Sequence, residues 1–486
     1  MASDIQPDLV LRGGTVIDGT GAPGFTADVA VGDGRILAVG DLRGVRAARE
    51  IDAAGRAVAP GFIDVHTHDD LACLTNPDMV AKVSQGVTSV VVGNCGISAA
   101  PLRFADGVEE PFNLLGALGD FRYPDFAAYR AAVERVVPRV NVGALVGHSA
   151  LRLMCMDDLG RPADARECGA MGDLLRDALR NGALGLSSGV FYAPGAAADI
   201  AELTCLAHLV AAEGGVYTAH IRNEYDGVAD ALREAFAVTA ADRLPLVISH
   251  HKCAGVRNWG RSAETLGLID AARASQPVFM DCYPYNAGST VIRADLADGE
   301  IEVLVNWSEP HPEMAGRTMK DIAIEWGCTQ AEAATRLMPG GASYFQIHEE
   351  DMRRILSHEA CMVGSDGLPN DPLPHPRLWG TFPRVLGRYS RDLGLFSLEQ
   401  AVHRMTGLSA ATFQLGDRGR IAPGLAADIT VFDPAVILDR ATYSDPKAIA
   451  AGIDLVYVNG TLAWADGTLA GDRAGRFLAR SGCCQA

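Results

Sequence analysis

Eight short apolar runs recur along the middle of the chain: FIDVHTH, TSVVVGNC, NVGALVGH, ALGLSSG, GVYTAH, PLVISHH, PVFMDCYP and CMVGSDG. Between many of them lie longer amphipathic stretches, among them FAAYRAAVERVV, ARECGAMGDLLRDALRNG, DGVADALREAFAVTA and SAETLGLIDAARAS. Near-continuous apolar strands separated by amphipathic helices indicate a parallel sheet covered by helices. Eight strand–helix units are the number that closes a (β/α)8 barrel of the TIM type, whose reactive residues sit at the C-terminal ends of the strands. The interval between the seventh and eighth runs is too long for one helix. Residues 286–349 are therefore expected to form an insertion, most simply a lid.

The flanks have a different texture. DLVLRGGTVIDGTG and ADVAVGDGRILAVG near the start, and GRIAPGLAADITVFDP and DLVYVNGTLAWADGTL near the end, alternate apolar residues with Gly- and Asp-containing turns. Both read as antiparallel β structure. Residues 1–60 and 419–486 are expected to pair into one small β-sandwich domain, with the barrel over 61–418 inserted between them.

The chain of 486 residues carries a net charge of −18 without a basic block. That excludes a nucleic-acid or anionic-membrane partner as the working expectation. The start, MASDIQPDLV, lacks the basic and apolar regions of a signal peptide. Eleven scattered cysteines, with no CxxC pair, read as reduced thiols of a cytoplasmic protein. The adjacent Cys483 and Cys484 are expected to be exposed and incidental.

The residues at the strand ends carry the chemistry. GFIDVHTHDD ends the first strand, and residues two apart on a strand share a face. His66 and His68 should therefore aim at one point. The second strand offers Cys95, the fifth His220, the sixth His250 and the eighth Asp366. Imidazole, thiolate and carboxylate are all zinc ligands. A lone histidine at a strand end is usually a hydrogen-bonded structural residue, and a lone cysteine a small core hydrophobe. Six such residues at one end of successive strands point instead to a metal site. His251, next to His250, should face away, and His148 reads as structural.

GGTVIDGTG, PGFIDVHTHDD, GNCGIS, AHIRNE, ISHHK, GSDGLP and PGLAADITVFDP occur in that order. Together they resemble the amidohydrolase superfamily, and within it the D-aminoacylase (N-acyl-D-amino-acid deacylase) family, over essentially the whole chain. The resemblance implies a (β/α)8 barrel with a small β domain from both termini and an insertion after the seventh strand. It implies a tightly held zinc on Cys95, His220 and His250. A weaker second site is bounded by His66, His68 and Asp366, with Cys95 bridging.

Hydrolysis of an N-acyl-D-amino acid to a carboxylate and a free D-amino acid follows from that reading. Zinc polarises the amide carbonyl and generates a hydroxide nucleophile. Asp366 is expected to take the water proton and hand it to the leaving amine. Lys252, Tyr283 and Arg377 match positions that the family uses to grip the substrate α-carboxylate. Ser289 and Tyr192 are further candidates for the pocket. The preference for D-amino acids rests on the resemblance alone. Broad specificity for apolar side chains is the reading adopted, with D-glutamate or D-aspartate as the alternative and Arg293 as the cation it would need. Rivals are a cyclic-amide hydrolase of the hydantoinase or dihydroorotase type, a deaminase, and a metal-free binding paralogue. The first two share the HxH, but Cys95 and the Lys252, Tyr283 and Arg377 set argue against them. The paralogue should have lost ligands, and none is missing.

Overall fold

Each of the eight apolar runs contains a strand in the computed structural model, which describes residues 7–480. MASDIQ at the start and the Cys483–Cys484 pair lie outside the described residues. The strands are β1 (Phe62–Asp64), β2 (Val87–Val92), β3 (Asn141–Ala144, continued after Leu145 as Val146–Gly147), β4 (Gly185–Gly189), β5 (Val216–His220), β6 (Leu246–Ile248), β7 (Val278–Cys282) and β8 (Cys361–Val363). All pair in parallel and in chain order. One sheet joins β1, β2 and the first half of β3; the second joins the other half of β3 to β4 through β8. Beyond the ends of β1 and β8, Thr67 and Gly367 form a parallel bridge.

The strands read as apolar because helices cover one face and the opposite face is also closed. Every residue of β2, VTSVVV, is buried. Between the strands run Phe126–Val136, Ala165–Arg180, Ile200–Ala212, Val228–Ala240 and Ser262–Arg273. Ala165–Arg180 starts where Asp164 accepts from Glu167 N and Glu167 reaches back to Asp164 N. Such a cap contributes about 1 kcal/mol. The helix buries Met171, Leu175 and Leu179. On the far side of β1, Phe62 stacks on Phe382 with ring centroids 5.9 Å apart. Burying a side chain of that size contributes about 1.5–3 kcal/mol.

β1 is shorter than FIDVHTH suggests. Pairing to β2 stops at Asp64 opposite Val90. The chain then leaves β2 and is held by β8's continuation: Asp366 N donates to His66 O (2.7 Å) and His68 N to Gly367 O (3.0 Å). The two histidines thus lie on an extended segment past the strand, not within it.

The terminal segments form one nine-stranded sheet. Its two halves meet where Ala57–Pro60 pairs antiparallel with Ile429–Phe432. Residues 288–344 carry a three-stranded antiparallel sheet (Gly288–Val291, Val303–Ser308, Gly340–Tyr344) and the helices Met319–Trp326 and Gln330–Leu337. They enclose their own core of Val303, Val305, Ile322, Leu337 and Tyr344. Among the described residues, no helix is long and apolar enough to cross a membrane.

Candidate metal centre and substrate pocket

The six candidate ligands converge at the C-terminal ends of the parallel strands. Cys95 Sγ lies 3.2 Å from His66 Nε2 and 3.3 Å from His250 Nε2. His250 Nε2 is 3.0 Å from His220 Nδ1. On the other side, Asp366 Oδ1 is 3.2 Å from His68 Nε2 and 3.5 Å from His66 Nε2. One ligand atom each from His66, Cys95, His250 and Asp366 lies within 4.8 Å of the others. All six side chains are buried.

The local sequence explains how they meet. Cys95 (φ 53°), His250 (φ 35°) and Asp366 (φ 49°) are all left-handed. A non-glycine residue held there costs about 1–3 kcal/mol and persists only where its surroundings over-determine it. The glycines beside Cys95 permit the fold-back. A Cβ on Gly189 would lie 1.9 Å from Cys95 O, and one on Gly96 2.5 Å from Gly189 N. GNCG and LSSG are thus two sides of one backbone contact.

The donors fit a divalent cation. Burial pushes the Cys95 thiol up, but His66 and His250 outweigh it and hold the thiol well below its usual range. Burial disfavours the charged His66 imidazole, yet Asp281 and Cys95 raise it well above the histidine range. The cluster therefore keeps positive charge against a thiolate, which is the role a bound metal takes over as it displaces protons. Buried His220 Nε2 and His68 Nδ1 have no hydrogen-bond partner in the protein. Zinc is the ion this mixture of sulfur, nitrogen and oxygen donors suits.

Two carboxylates orient the cluster, and neither was expected from the sequence. Asp281 Oδ2 lies 3.2 Å from His66 Nδ1, and Asp281 Oδ1 accepts from His250 N at 2.9 Å. An Nδ1–H donated to Asp281 leaves His66 Nε2 free to face Cys95. Glu224 Oε1 is 3.0 Å from His250 Nδ1 and accepts from Lys252 Nζ at 2.6 Å. Both had a signal. Asp281 lies two residues before Tyr283, at the end of β7, a spacing that puts both on one face of an extended chain, and Glu224 follows His220 by four residues in AHIRNE.

The expected substrate residues gather beside the candidate ligands. The Tyr283 ring has Arg377 Cζ 4.5 Å and Lys252 Nζ 5.9 Å from its centroid. Each cation already has a carboxylate: Lys252 has Glu224, and Arg377 Nη1 is 2.9 Å from Asp366 Oδ2. Ser289 accepts through its backbone carbonyl from Arg377 Nη2 (3.1 Å), while its Oγ accepts from Asn306. Tyr192 OH is 3.1 Å from Thr290 Oγ1, with its ring edge-on to His220. A cavity opens over the ligands, walled by Ile97, Leu114, Phe191, Leu296 and Leu368, with Lys252, Tyr283 and Ser289 on its polar side. Arg377 is buried behind Asp366 and Tyr283. Arg293 sits over Phe191 (4.5 Å) but donates to Asp295 (3.0 Å). His251 turns away to Thr265, and His148 pairs with buried Glu202.

The sequence matches the Amidohydrolase family over residues 49–311 and 317–463. It is 48% identical to a D-aminoacylase of Alcaligenes xylosoxydans xylosoxydans, across 99% of both chains. It is 49% identical to an N-acyl-D-glutamate deacylase of the same organism, across 97% of this chain and 96% of the other. The structure superposes with a TM-score of 0.94 on an N-acyl-D-glutamate deacylase from Bordetella bronchiseptica, solved with zinc and a phosphonate mimic of the tetrahedral intermediate. That protein is 47% identical over 98% of this chain and all of the other. The fold is accordingly of the amidohydrolase type, mixed α/β. On the cysteine-containing ligand cluster and these matches, the chain belongs to the amidohydrolase superfamily and, within it, to the D-aminoacylase family.

Proposed function

We propose that this protein is a zinc-dependent deacylase that hydrolyses N-acyl-D-amino acids to a carboxylate and a free D-amino acid. The observation that carries the reading is Cys95 lying between two imidazole groups, with Lys252, Tyr283 and Arg377 at the side. Cys95, His220 and His250 would hold a tight zinc, and His66, His68 and Asp366 would bound a weaker second position. A bound zinc supplies carbonyl polarisation and a more acidic water. Asp366 takes the proton of the attacking water and returns it to the leaving nitrogen. Asp281 and Glu224 keep the imidazoles oriented. Lys252 meets the substrate carboxylate from the cavity wall, and Arg377 joins it when its planar fork turns from Asp366 and Ser289 O toward the two carboxylate oxygens.

The architecture we infer is a closed (β/α)8 barrel over 61–418, supported by the in-order parallel pairing and the Thr67–Gly367 bridge. The described parts of residues 1–60 and 419–486 form the small β domain. Residues 286–349 are a lid, which the pocket lining by Ser289, Thr290, Leu296 and Gln346 supports. The apolar wall and the Arg293–Asp295 pair favour apolar D-side chains. Release of free amine from N-acetyl-D- and N-acetyl-L-amino acids tests the reading. N-Acetyl-D-methionine should be the better substrate than N-acetyl-D-glutamate. The reverse order assigns the pocket to acidic side chains, and turnover of the L-series alone sinks the proposal.

The carboxylate grip has its own test. Charge-assisted hydrogen bonds contribute about 1.5–3 kcal/mol, so Arg377→Met should lower kcat/KM on N-acetyl-D-methionine by about one to two orders of magnitude. Arg377→Lys should also be harmful, because the fork is lost. Neither should matter much for the decarboxylated analogue. Equal losses on both substrates would move Arg377 from the substrate to the support of Asp366.

A further inference from the structure

Lys82 is a buried lysine that no step above uses. Its side chain has no exposure, and its Nζ reaches residues that flank three of the candidate ligands. It donates to Asp64 Oδ2 (2.8 Å), Thr67 Oγ1 (2.8 Å) and Ser365 Oγ (3.0 Å), and lies 3.2 Å from Asp69 Oδ2. These four partners interleave in sequence with ligand residues. Asp64, Thr67 and Asp69 surround His66 and His68, and Ser365 precedes Asp366.

The partners are also bonded to one another across the two strands. Ser365 N donates to Asp64 Oδ1 (2.8 Å) and Ser365 Oγ to Asp64 Oδ2 (2.6 Å). Thr67 Oγ1 donates to Asp69 Oδ2 (2.6 Å), and Gly367 N to Ser365 Oγ (3.1 Å). A Cβ on Gly367 would come 3.1 Å from Lys82 Nζ. One ammonium thus ties the continuation of β1 to that of β8, from which His66, His68 and Asp366 project. Asp366 is the strained member, with φ 49°. Such a conformation needs fixed surroundings, and this network provides them on the side away from the cavity.

We infer that Lys82 is a positioning residue which sets Asp366 against His66 and His68, and so shapes the second half of the centre and not the Cys95–His220–His250 half. The inference takes the ligand set from the proposed function, but its main test does not depend on turnover. The metal-free protein is titrated with zinc, and the two binding equivalents are compared in wild type, Lys82→Met and Ser365→Ala. Lys82→Met removes the ammonium but leaves two buried carboxylates without it, which can cost folding. Ser365→Ala is the milder variant. It removes the hydroxyl link between Lys82 and β8, keeps the bond from the residue 365 backbone N to Asp64, and leaves Lys82 with Asp64, Thr67 and Asp69.

The expected result is a second equivalent weakened at least about tenfold in Lys82→Met and about threefold in Ser365→Ala. The first equivalent should stay within about twofold of wild type. If the deacylase activity is present, kcat should fall while KM changes little. In an Asp366→Asn background, Lys82→Met should then cost nothing more, because the residue through which it acts is gone. Equal weakening of both equivalents would make Lys82 a general support of the fold and overturn the inference. So would an unchanged second equivalent in folded Ser365→Ala, or full additivity with Asp366→Asn. A protein that binds zinc as expected but releases no amine would refute the proposed function and leave the positioning role standing.

Discussion

Replacing Cys95 with alanine should strip the protein of its tight zinc and stop turnover. Sγ is the atom common to both halves of the cluster, within 3.3 Å of His250 Nε2 and 3.2 Å of His66 Nε2. The nearest substitute is Glu224, which groups with His220 and His250, but it already has a partner. Glu224 is engaged by Lys252, and Asp281 by His66 and the His250 backbone. Two imidazoles alone make a poor zinc site. Losing the ion forfeits several kcal/mol of charge stabilisation in the transition state, which is at least about 10³-fold in rate. Metal analysis after dialysis, alongside amine release from N-acetyl-D-methionine, reads both consequences. A Cys95→Ala protein that keeps a full equivalent of zinc would show that the thiol is packing and that the tight site lies elsewhere. The expected wild-type content is one tightly held zinc per chain, since three neutral or thiolate donors make the more compact half.

The alternation of apolar runs and amphipathic stretches made the parallel strands legible, because a strand buried on both faces must be apolar throughout. Residues 87–92 are the clearest case. Boundaries were less legible. FIDVHTH is a uniform apolar-to-histidine run, yet pairing ends at Asp64. The cause is a tertiary contact with Gly367, some three hundred residues away, to which no local pattern points. The direction of His66 and His68 was still readable, since an extended segment keeps the two-residue periodicity whether or not it is paired.

For the site, residue type and strand position marked the six clustered side chains. What those features could not mark was the pairing of charges. Lys252 and Arg377 look free in SHHKC and PHPRLWG, but Lys252 meets Glu224 from the end of β5 and Arg377 meets Asp366 from the end of β8. Glu224, Asp281 and Lys82 were passed over because isolated charged residues near strand ends are ordinary on a protein surface. The spacings of Glu224 to His220 and of Asp281 to Tyr283 are faint signals by themselves, and burial, which singles out all three, is a property of the assembled fold.

The second large effect is expected at Asp366. Burial alone would push its carboxyl up. Arg377 and His250, helped by the bond from His68, outweigh that and hold it well below the usual carboxylate range. It is therefore held in the charged form, and its Oδ1 faces His68 while Oδ2 faces Arg377. Asp366→Asn keeps the shape and removes the basicity. Loss of a general acid–base group costs about 10²–10⁴-fold in rate, so kcat should fall by that factor. The tight zinc should remain, because Cys95, His220 and His250 are untouched. The measurement pairs kcat with zinc content before and after adding excess metal. If the variant loses its zinc and recovers its rate when zinc is supplied, Asp366 serves only as a ligand. The proton would then have to travel through another group. Among the buried residues lining the cavity, Glu224 is the remaining carboxylate, and its Oε1 is already shared between Lys252 and His250.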